Sequence, residues 1–395
     1  MAITQIYGFQ NFGDYLDRNI ADITPFGKLP FHNNNPHTGS ASALWKFVRF
    51  KERVWFFGDW GSYSSSSSTT ARSYTTSART PSFNFPTRAV YGEHVSDPSI
   101  NRFIMGVRFW WPTTDTASDS GSRPYYAVRL LTHGGDTTSS GLILLRRDET
   151  PHVKDVVFYF EWQIDFELGV IKRWLDGVRM SDLSLNSTYG DRERWKDMFI
   201  HIGFKSNTSS WSTTVFSYWA KYGVNDMYFI ADTSHLNDGL PSGRLGPIEV
   251  EALKPKNVIL PETWENETAK DPAAFLAETV NKVNMRDEKG IITDEAGDKA
   301  VVEFEEPEFR EGEILYCEFE AYGYRNFGDN VALKTQMKQG EGSDDPKHHE
   351  VEPERLRTGE QTIFPGKFHK PLDGETWDEQ KLGQIKLELW STKPE

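Results

Sequence analysis

At 395 residues the chain exceeds what one hydrophobic core usually serves, so two domains are expected. Only 37% of residues are apolar but 14% are aromatic, a balance that favours half-buried pleated surfaces and points to a β-sandwich. Residues 1–250 carry 25 Lys+Arg and 25 Asp+Glu, whereas residues 251–395 carry 19 and 33, so the whole net charge of −14 lies in the C-terminal part; this marks a boundary near residue 250 and, with no basic patch elsewhere, excludes nucleic acid as a partner.

The N-terminal MAITQIYGFQNFGDY has no cationic segment leading into an apolar stretch, and no run approaches the roughly 18 apolar residues of a membrane span, so a soluble, unprocessed chain is expected. Residues 44–60, LWKFVRFKERVWFFGDW, alternate well enough for one or two strands. The Ser/Thr/Gly/Arg-rich stretch 61–82 has too little apolar surface to order a core and reads as a long exposed loop. Further strands are expected at 100–111, 125–133, 141–147 and 156–167, with Gly, Asp, Ser and Thr clusters between them as turns.

The stretch Trp162–Leu185 reads as a β-meander: Gly169 offers a turn, VIKRWL a strand, Asp176-Gly177 a tight hairpin and VRM the start of the next strand. Strands at 199–205 and 224–232 follow. DPAAFLAETVNKV (271–283) is the best helix candidate, with Asp271 as cap and Pro272 at the first helical position. Beyond it KAVVEFEEPEF, EILYCEFEAYGY, NVALKTQM and GQIKLELW alternate again, their acidic residues on the face expected to be wet, and 339–361 reads as a polar loop. The single cysteine, Cys317, excludes an internal disulfide, suits folding in a reducing cytoplasm, and alternates like a small core residue on a strand. His348-His349 lacks a third ligand in register and is not expected to bind metal.

Three segments carry a family resemblance. The opening YGFQNFGDY, with Gly8, Phe9 and Tyr15, resembles the first strand of phage-encoded laminin G-like proteins. FYFEWQIDFELGVIKRWLDGVRM resembles the paired strands of laminin G and concanavalin-like domains, with Trp162, Gly169, Trp174, Asp176 and Gly177 in the motif positions and Trp162 one residue after Glu161. YGVNDMYFIADTSHLNDGLPSGRLGPIEVEALKP resembles the closing strands through Asn225-Asp226, Asp232, Leu245-Gly246 and Val250, with Asn225 in place of the more usual Asp. A weaker likeness continues in GDKAVVEFEEP and Asp373-Gly374-Glu375-Thr376-Trp377.

The resemblance implies an antiparallel jelly-roll sandwich over residues 1–255 and a smaller acidic β-rich domain with one short helix over 256–395. It further implies a non-enzymatic structural protein of a tailed-phage particle, on the tail or the capsid surface, made in the cytoplasm of the infected bacterium. Its expected partners are other virion proteins and further copies of itself, most simply as a trimer, without nucleic acid or membrane span. Retaining glycosidases of the concanavalin type set carboxyl groups about 5–5.5 Å apart on one strand. Here Gln163 stands where the nucleophile belongs, and Glu161, Asp165 and Glu167 are expected to line a solvent face opposite Trp162, Ile164 and Phe166.

No Gly-x-Ser-x-Gly elbow or phosphate loop is present, and His32, His37, His133 and His235 read as surface loop residues. No cofactor is required; Asp136, or Asp232 with Asp238, would be the oxygens available to calcium. Host-surface carbohydrate is expected at loop aromatics with polar neighbours, Trp60, Tyr63 and Tyr74 in one loop and Asn207, Trp211 and Tyr218 in another. A glycan depolymerase and a cell-surface adhesion module are the competing readings.

Overall fold

The computed structural model describes residues 2–10, 16, 45–58, 82–112, 125–131, 141–146, 149–150, 155–205, 222–232, 244–253, 255–259, 264–266, 291–293, 297, 299–305, 312–315, 317–323, 332–339, 347–355, 362–368, 371 and 375–392. The helix expected at 271–283 lies outside them. The chain is mainly β, with every strand pairing antiparallel, and divides into two compact units, Met1–Glu251 and Ala252–Glu395.

The first unit is a jelly-roll-type sandwich. Its strands are β1 (Ala2–Tyr7), β2 (Trp45–Phe50), β3 (Arg53–Gly58), β4 (Ser82–Pro86), β5 (Arg102–Trp111), β6 (Tyr125–Leu131), β7 (Leu142–Arg146), β8 (Val156–Asp165), β9 (Val170–Leu175), β10 (Val178–Arg179), β11 (Leu183–Ser184), β12 (Phe199–Lys205) and β13 (Tyr222–Asp232). The larger sheet runs β10-β9-β8-β5-β13-β3-β2, with β1 on β13 and β11 on β9; the smaller runs β4-β12-β6-β7. A short helix α1 (Thr87–Tyr91) follows β4.

Local chemistry explains the turns. Asp176 and Gly177 have φ of 48° and 79°, the two positive values of a type I′ turn, whose twist suits the β9–β10 hairpin. Lys51 and Glu52 do the same without glycine (φ 48° and 64°), so residues 45–58 form the hairpin β2–β3. Period-two alternation sorts β5 and β8 into faces. Phe103, Met105, Val107 and Phe109, with Phe158, Phe160, Trp162 and Ile164 across the ladder, point inward and are at most 1% exposed. They meet Val128, Leu130, Ile200 and Ile202 of the smaller sheet, all similarly buried. The layers touch through Phe85 and Phe229, ring centroids 5.7 Å apart, and are tied by Tyr222 donating to the Ile202 carbonyl at 2.9 Å. Phe103 stacks on Trp195 at 5.6 Å, which closes one end.

The second unit contains β14 (Pro255–Ile259), β15 (Trp264–Asn266), β16 (Ile291–Thr293), β17 (Lys299–Phe304), β18 (Cys317–Gly323), β19 (Ala332–Gln339), β20 (Lys347–Arg355), β21 (Thr362–Phe368), β22 (Ile385–Thr392) and a helix α2 (Glu379–Gly383) capped by Asp378. A five-stranded sheet runs β14-β17-β22-β19-β20, beside the pairs β15-β16 and β18-β21. Met337, Trp377, Leu382 and Ile385 form its core, with Cys317 packed against them. Residues 339–361 are not one loop: β20 occupies 347–355. Among the described residues it is an edge strand, a place where proline such as Pro353 is tolerated, so neither apolar alternation nor absence of proline announces it.

Candidate functional site

The six expected carbohydrate-binding residues, Trp60, Tyr63, Tyr74, Asn207, Trp211 and Tyr218, lie outside the described residues, as do Asp136 and Asp238. Asp232, the remaining member of the calcium reading, is fully buried and ion-paired with Arg102 at 3.3 Å; desolvation pushes its carboxyl above the usual range, against the pull of that arginine. Among the described residues no group of three or more His, Cys, Asp or Glu is placed to hold a metal.

The best-defined polar arrangement lies on the outer face of the larger sheet, around β8. Pairing places Glu161, Gln163 and Asp165 of β8 on this face, beside Gly106 and Ile104 of β5, and Trp174 and Lys172 of β9. The expected solvent face is not wet at Glu161 or Asp165: Glu161 is 0% and Asp165 5% exposed. At Asp165 the 165–168 turn and Lys172 close over the carboxylate; at Glu161 the physical reason is a strap. After β13 the chain returns as residues 244–251 over this face, and the sheet's polar groups hold it there.

Glu161 Oε1 accepts from the Tyr228 hydroxyl at 2.6 Å and from the Gly246 N–H at 2.9 Å, while Oε2 receives Arg244 at 2.5 Å. Tyr228 in turn accepts from the Leu245 N–H at 3.2 Å. Gly246 stands at φ 85°, the left-handed region that lets the strap turn its N–H inward. Further along, Asp226 accepts from the Val250 N–H at 3.1 Å and pairs with Arg53 at 3.0 Å and Arg108 at 2.7 Å. Arg108 donates to the Ile248 carbonyl at 2.7 Å. Asp226 is brought there by a bulge: the β13–β5 register shifts between Asn225 and Tyr228, and Asp226 takes φ 43°. Asn225 closes the inner side, accepting from Phe9 N–H at 3.2 Å and donating to the Val54 carbonyl at 2.9 Å.

Burial raises the Asp226 carboxyl despite the two arginines, and it raises the Tyr228 and Tyr159 phenols well above their ordinary value, with Glu161 adding to both. These hydroxyls therefore stay protonated and act as donors, Tyr228 to Glu161 and Tyr159 to the Asp226 carbonyl at 3.0 Å. Asp165 moves the other way: against its desolvation, the Leu168 N–H and Lys172 at 3.0 Å hold it below the usual range. Trp174 is flanked by Arg179 and Arg244, whose guanidinium carbons lie 4.5 and 4.9 Å from its ring centroid. Chemically, Glu161 has both oxygens engaged by three donors, Gln163 carries no charge and Asp165 is held by its own turn. This row fixes a chain segment; it presents no poised acid and base.

Sequence reasoning missed the strap because its hydrogen bonds to Glu161 and Arg108 span 83 to 140 residues of chain. One local signal existed, a glycine inside a strand. A Cβ at Gly106 would sit 2.2 Å from the Tyr228 ring and 2.8 Å from the Tyr159 hydroxyl, so glycine is what admits the two tyrosines. Gly106→Ala is expected to cost about 1–3 kcal/mol by overpacking, measured by urea unfolding. A loss below about 0.5 kcal/mol would mean that the tyrosines move aside freely.

No family model matches the chain, and no curated protein matches it. Among solved structures, the N-terminal CBM22-1-CBM22-2 tandem domain of Paenibacillus barcinonensis Xyn10C aligns with 8% identity and a TM-score of 0.25, covering 100% of this chain and 90% of that one. Alginate lyase AlyC3 aligns with 8% identity and a TM-score of 0.26, covering 47% of this chain and 78% of that one. Domain 4 of AbnA, a GH43 extracellular arabinanase from Geobacillus stearothermophilus, aligns with 10% identity and a TM-score of 0.24, covering 57% of this chain and 91% of that one. At such values the alignments assign no ligand and no activity to this chain.

Proposed function

We propose that the chain is a non-enzymatic structural component of a tailed-phage particle, on the tail or capsid surface, and that its N-terminal sandwich binds host-surface carbohydrate without cleaving it. The observation that carries the non-enzymatic part is the state of Glu161. The carboxylate nearest the place of a hydrolytic acid is fully buried and saturated by Tyr228, Gly246 and Arg244, so the outer sheet face serves as scaffold and recognition falls to the loops.

The family resemblance supports the virion role, and the residues that carry it work together as that scaffold. Gly8 packs against Val250, where a Cβ would come within 2.4 Å; Phe9 N–H reaches Asn225; Asp176 accepts from the Tyr159 N–H at 2.7 Å; and Gly246 meets Glu161. Three segments far apart in sequence are thus one structural unit. Assembly with other virion proteins and as a homo-oligomer, most simply a trimer, follows from the same role.

The test uses the phage. Mass spectrometry of purified particles should find the chain, and Trp60→Ala with Trp211→Ala should lower adsorption to the host at unchanged particle yield. Absence from particles would overturn the virion role. A fall in particle yield instead of adsorption would make the rings structural and remove the carbohydrate role, and release of reducing sugar from host capsule by the purified protein would replace binding by depolymerisation.

A further inference from the structure

We propose that the outer face of the smaller sheet in the N-terminal unit holds a site for a monoanionic oxyanion at Arg129, and that this anion is the carboxylate or sulfate ester of an acidic sugar. The anion site stands on its own geometry. Its assignment to a sugar rests on the carbohydrate reading above and adds a contact beyond the loops.

Register and alternation sort this sheet as they sort the larger one. Val128, Leu130, Ile200 and Ile202 face the core, so Arg129 of β6 and its register partner His201 of β12 take the opposite side. Ile143 of β7 stands opposite Arg129 there, and Leu131 follows two residues on along β6. In the other direction Arg146, opposite Ala127, lies on the edge strand β7 and is exposed.

The charges of this sheet are one-sided. Strands β4, β6, β7 and β12 contain Arg129, Arg146 and Lys205 and no Asp or Glu. Other buried arginines of the unit are saturated: Arg53 meets Asp226 at 3.0 Å, and Arg173 meets Glu149 at 2.9 Å and the Leu144 carbonyl at 2.7 Å. Arg129 is buried as deeply as Arg173, at 3% exposure, yet among the described residues no carboxylate or carbonyl receives it, and its Nε–H is wholly buried without an acceptor. Burial alone lowers the guanidinium, to about 10, so it remains a cation at pH 7. His201 beside it, lowered to about 3, is neutral at that pH and adds no second charge.

A buried cation without a counter-charge is costly to a fold, and buried donors in native proteins have acceptors. A bound anion supplies both the charge and the acceptor. One positive charge matches a carboxylate or a sulfate ester, each with one negative charge, better than a phosphate monoester, which carries about two. The planar guanidinium can donate two parallel hydrogen bonds to either group, and the low-dielectric surroundings strengthen the attraction. Leu131 and Ile143 give apolar contact to the sugar ring that bears the acid, and Arg146 at the exposed edge draws anions towards the face.

The experiment is titration of the full chain, at fixed ionic strength, with glucuronate, a glucose sulfate ester, glucose and inorganic sulfate, read by calorimetry and by the Arg129 Nε–H resonance in heteronuclear NMR. Glucuronate or the sulfate ester should bind and shift that resonance, and glucose should not. Arg129→Met should fold, melt no lower than the wild type because an uncompensated buried charge is gone, and bind the sugar acid at least about tenfold more weakly. Arg129→Lys keeps the charge without the planar fork and should also weaken binding. The resonance shift is read on the wild type, so it decides the matter even where a variant does not fold. A wild type that binds neither sugar acid nor sulfate overturns the site, and the carbohydrate reading then stands or falls by the Trp60→Ala and Trp211→Ala phage alone. Inorganic sulfate bound more tightly than either sugar acid overturns the assignment to a sugar. An Arg129→Met variant that binds as the wild type does, or melts clearly below it, overturns the site too, the latter because Arg129 would then have its counter-charge within the chain.

Discussion

Glu161→Ala is expected to lower the stability of the N-terminal sandwich by about 2–5 kcal/mol, the cost of leaving two buried donors without their acceptor. Arg244 keeps 28% exposure and can turn to water, but the Gly246 N–H and the Tyr228 hydroxyl lose their acceptor beneath the strap. The strap should therefore loosen before the sandwich unfolds, and trypsin should cut after Arg244 faster in the variant than in the wild type. Glu161→Gln keeps the shape and one accepting oxygen, so its loss should be smaller. Tyr228→Phe should be non-additive with Glu161→Ala, because the two side chains share one hydrogen bond of 2.6 Å. A urea midpoint for Glu161→Ala at the wild-type value would show that Glu161 does not hold the strap.

That dependence also marks how far the fold and the site were legible in the sequence. The β9–β10 hairpin was readable because its cause is local: Asp176-Gly177 can take two positive φ values at little cost, and Gly169 at φ 65° ends the preceding turn in the same way. The inward row Phe158, Phe160, Trp162 and Ile164 was readable because strand alternation has a period of two, and all four are buried. The same alternation led to the wrong environment for Glu161 and Asp165. It states which side of a sheet a residue takes, and it is silent on whether a segment from 80 residues away lies across that side, as at Glu161, or a turn and a lysine close over it, as at Asp165. His201 shows the same gap on the smaller sheet: FIHIGFK reads correctly as a strand with Ile200 and Ile202 inward, and alternation then places His201 outward, yet it is 2% exposed.

His201 carries the second large effect, and it is a pH dependence. It stands on β12 opposite Arg129 on β6 and Asn84 on β4. Burial, with the nearby Arg129 cation adding to it, lowers the imidazole to about 3, and desolvation lowers Arg129 itself to about 10. His201 is therefore neutral at pH 7. In the unfolded chain an imidazole titrates near 6.5, so between about 6.5 and about 3 the unfolded state holds the extra proton. Stability must then fall as pH falls through that window, by about 1.4 kcal/mol per pH unit at most. Asp165 and Glu303, whose carboxyls lie below the usual range, lose their contribution only under more acid conditions. Asp226 and Asp232, raised by burial, act in the opposite sense, taking up protons more readily when folded and so offsetting part of the loss. The difference between wild type and His201→Gln removes these shared contributions. Urea unfolding at several pH values from 7 to 5 should give a wild-type curve that declines by about 1–1.4 kcal/mol per unit relative to the variant once below about 6.5. Parallel curves would mean that the imidazole accepts its proton inside the fold, and that Arg129 and the burial around it do not keep His201 neutral.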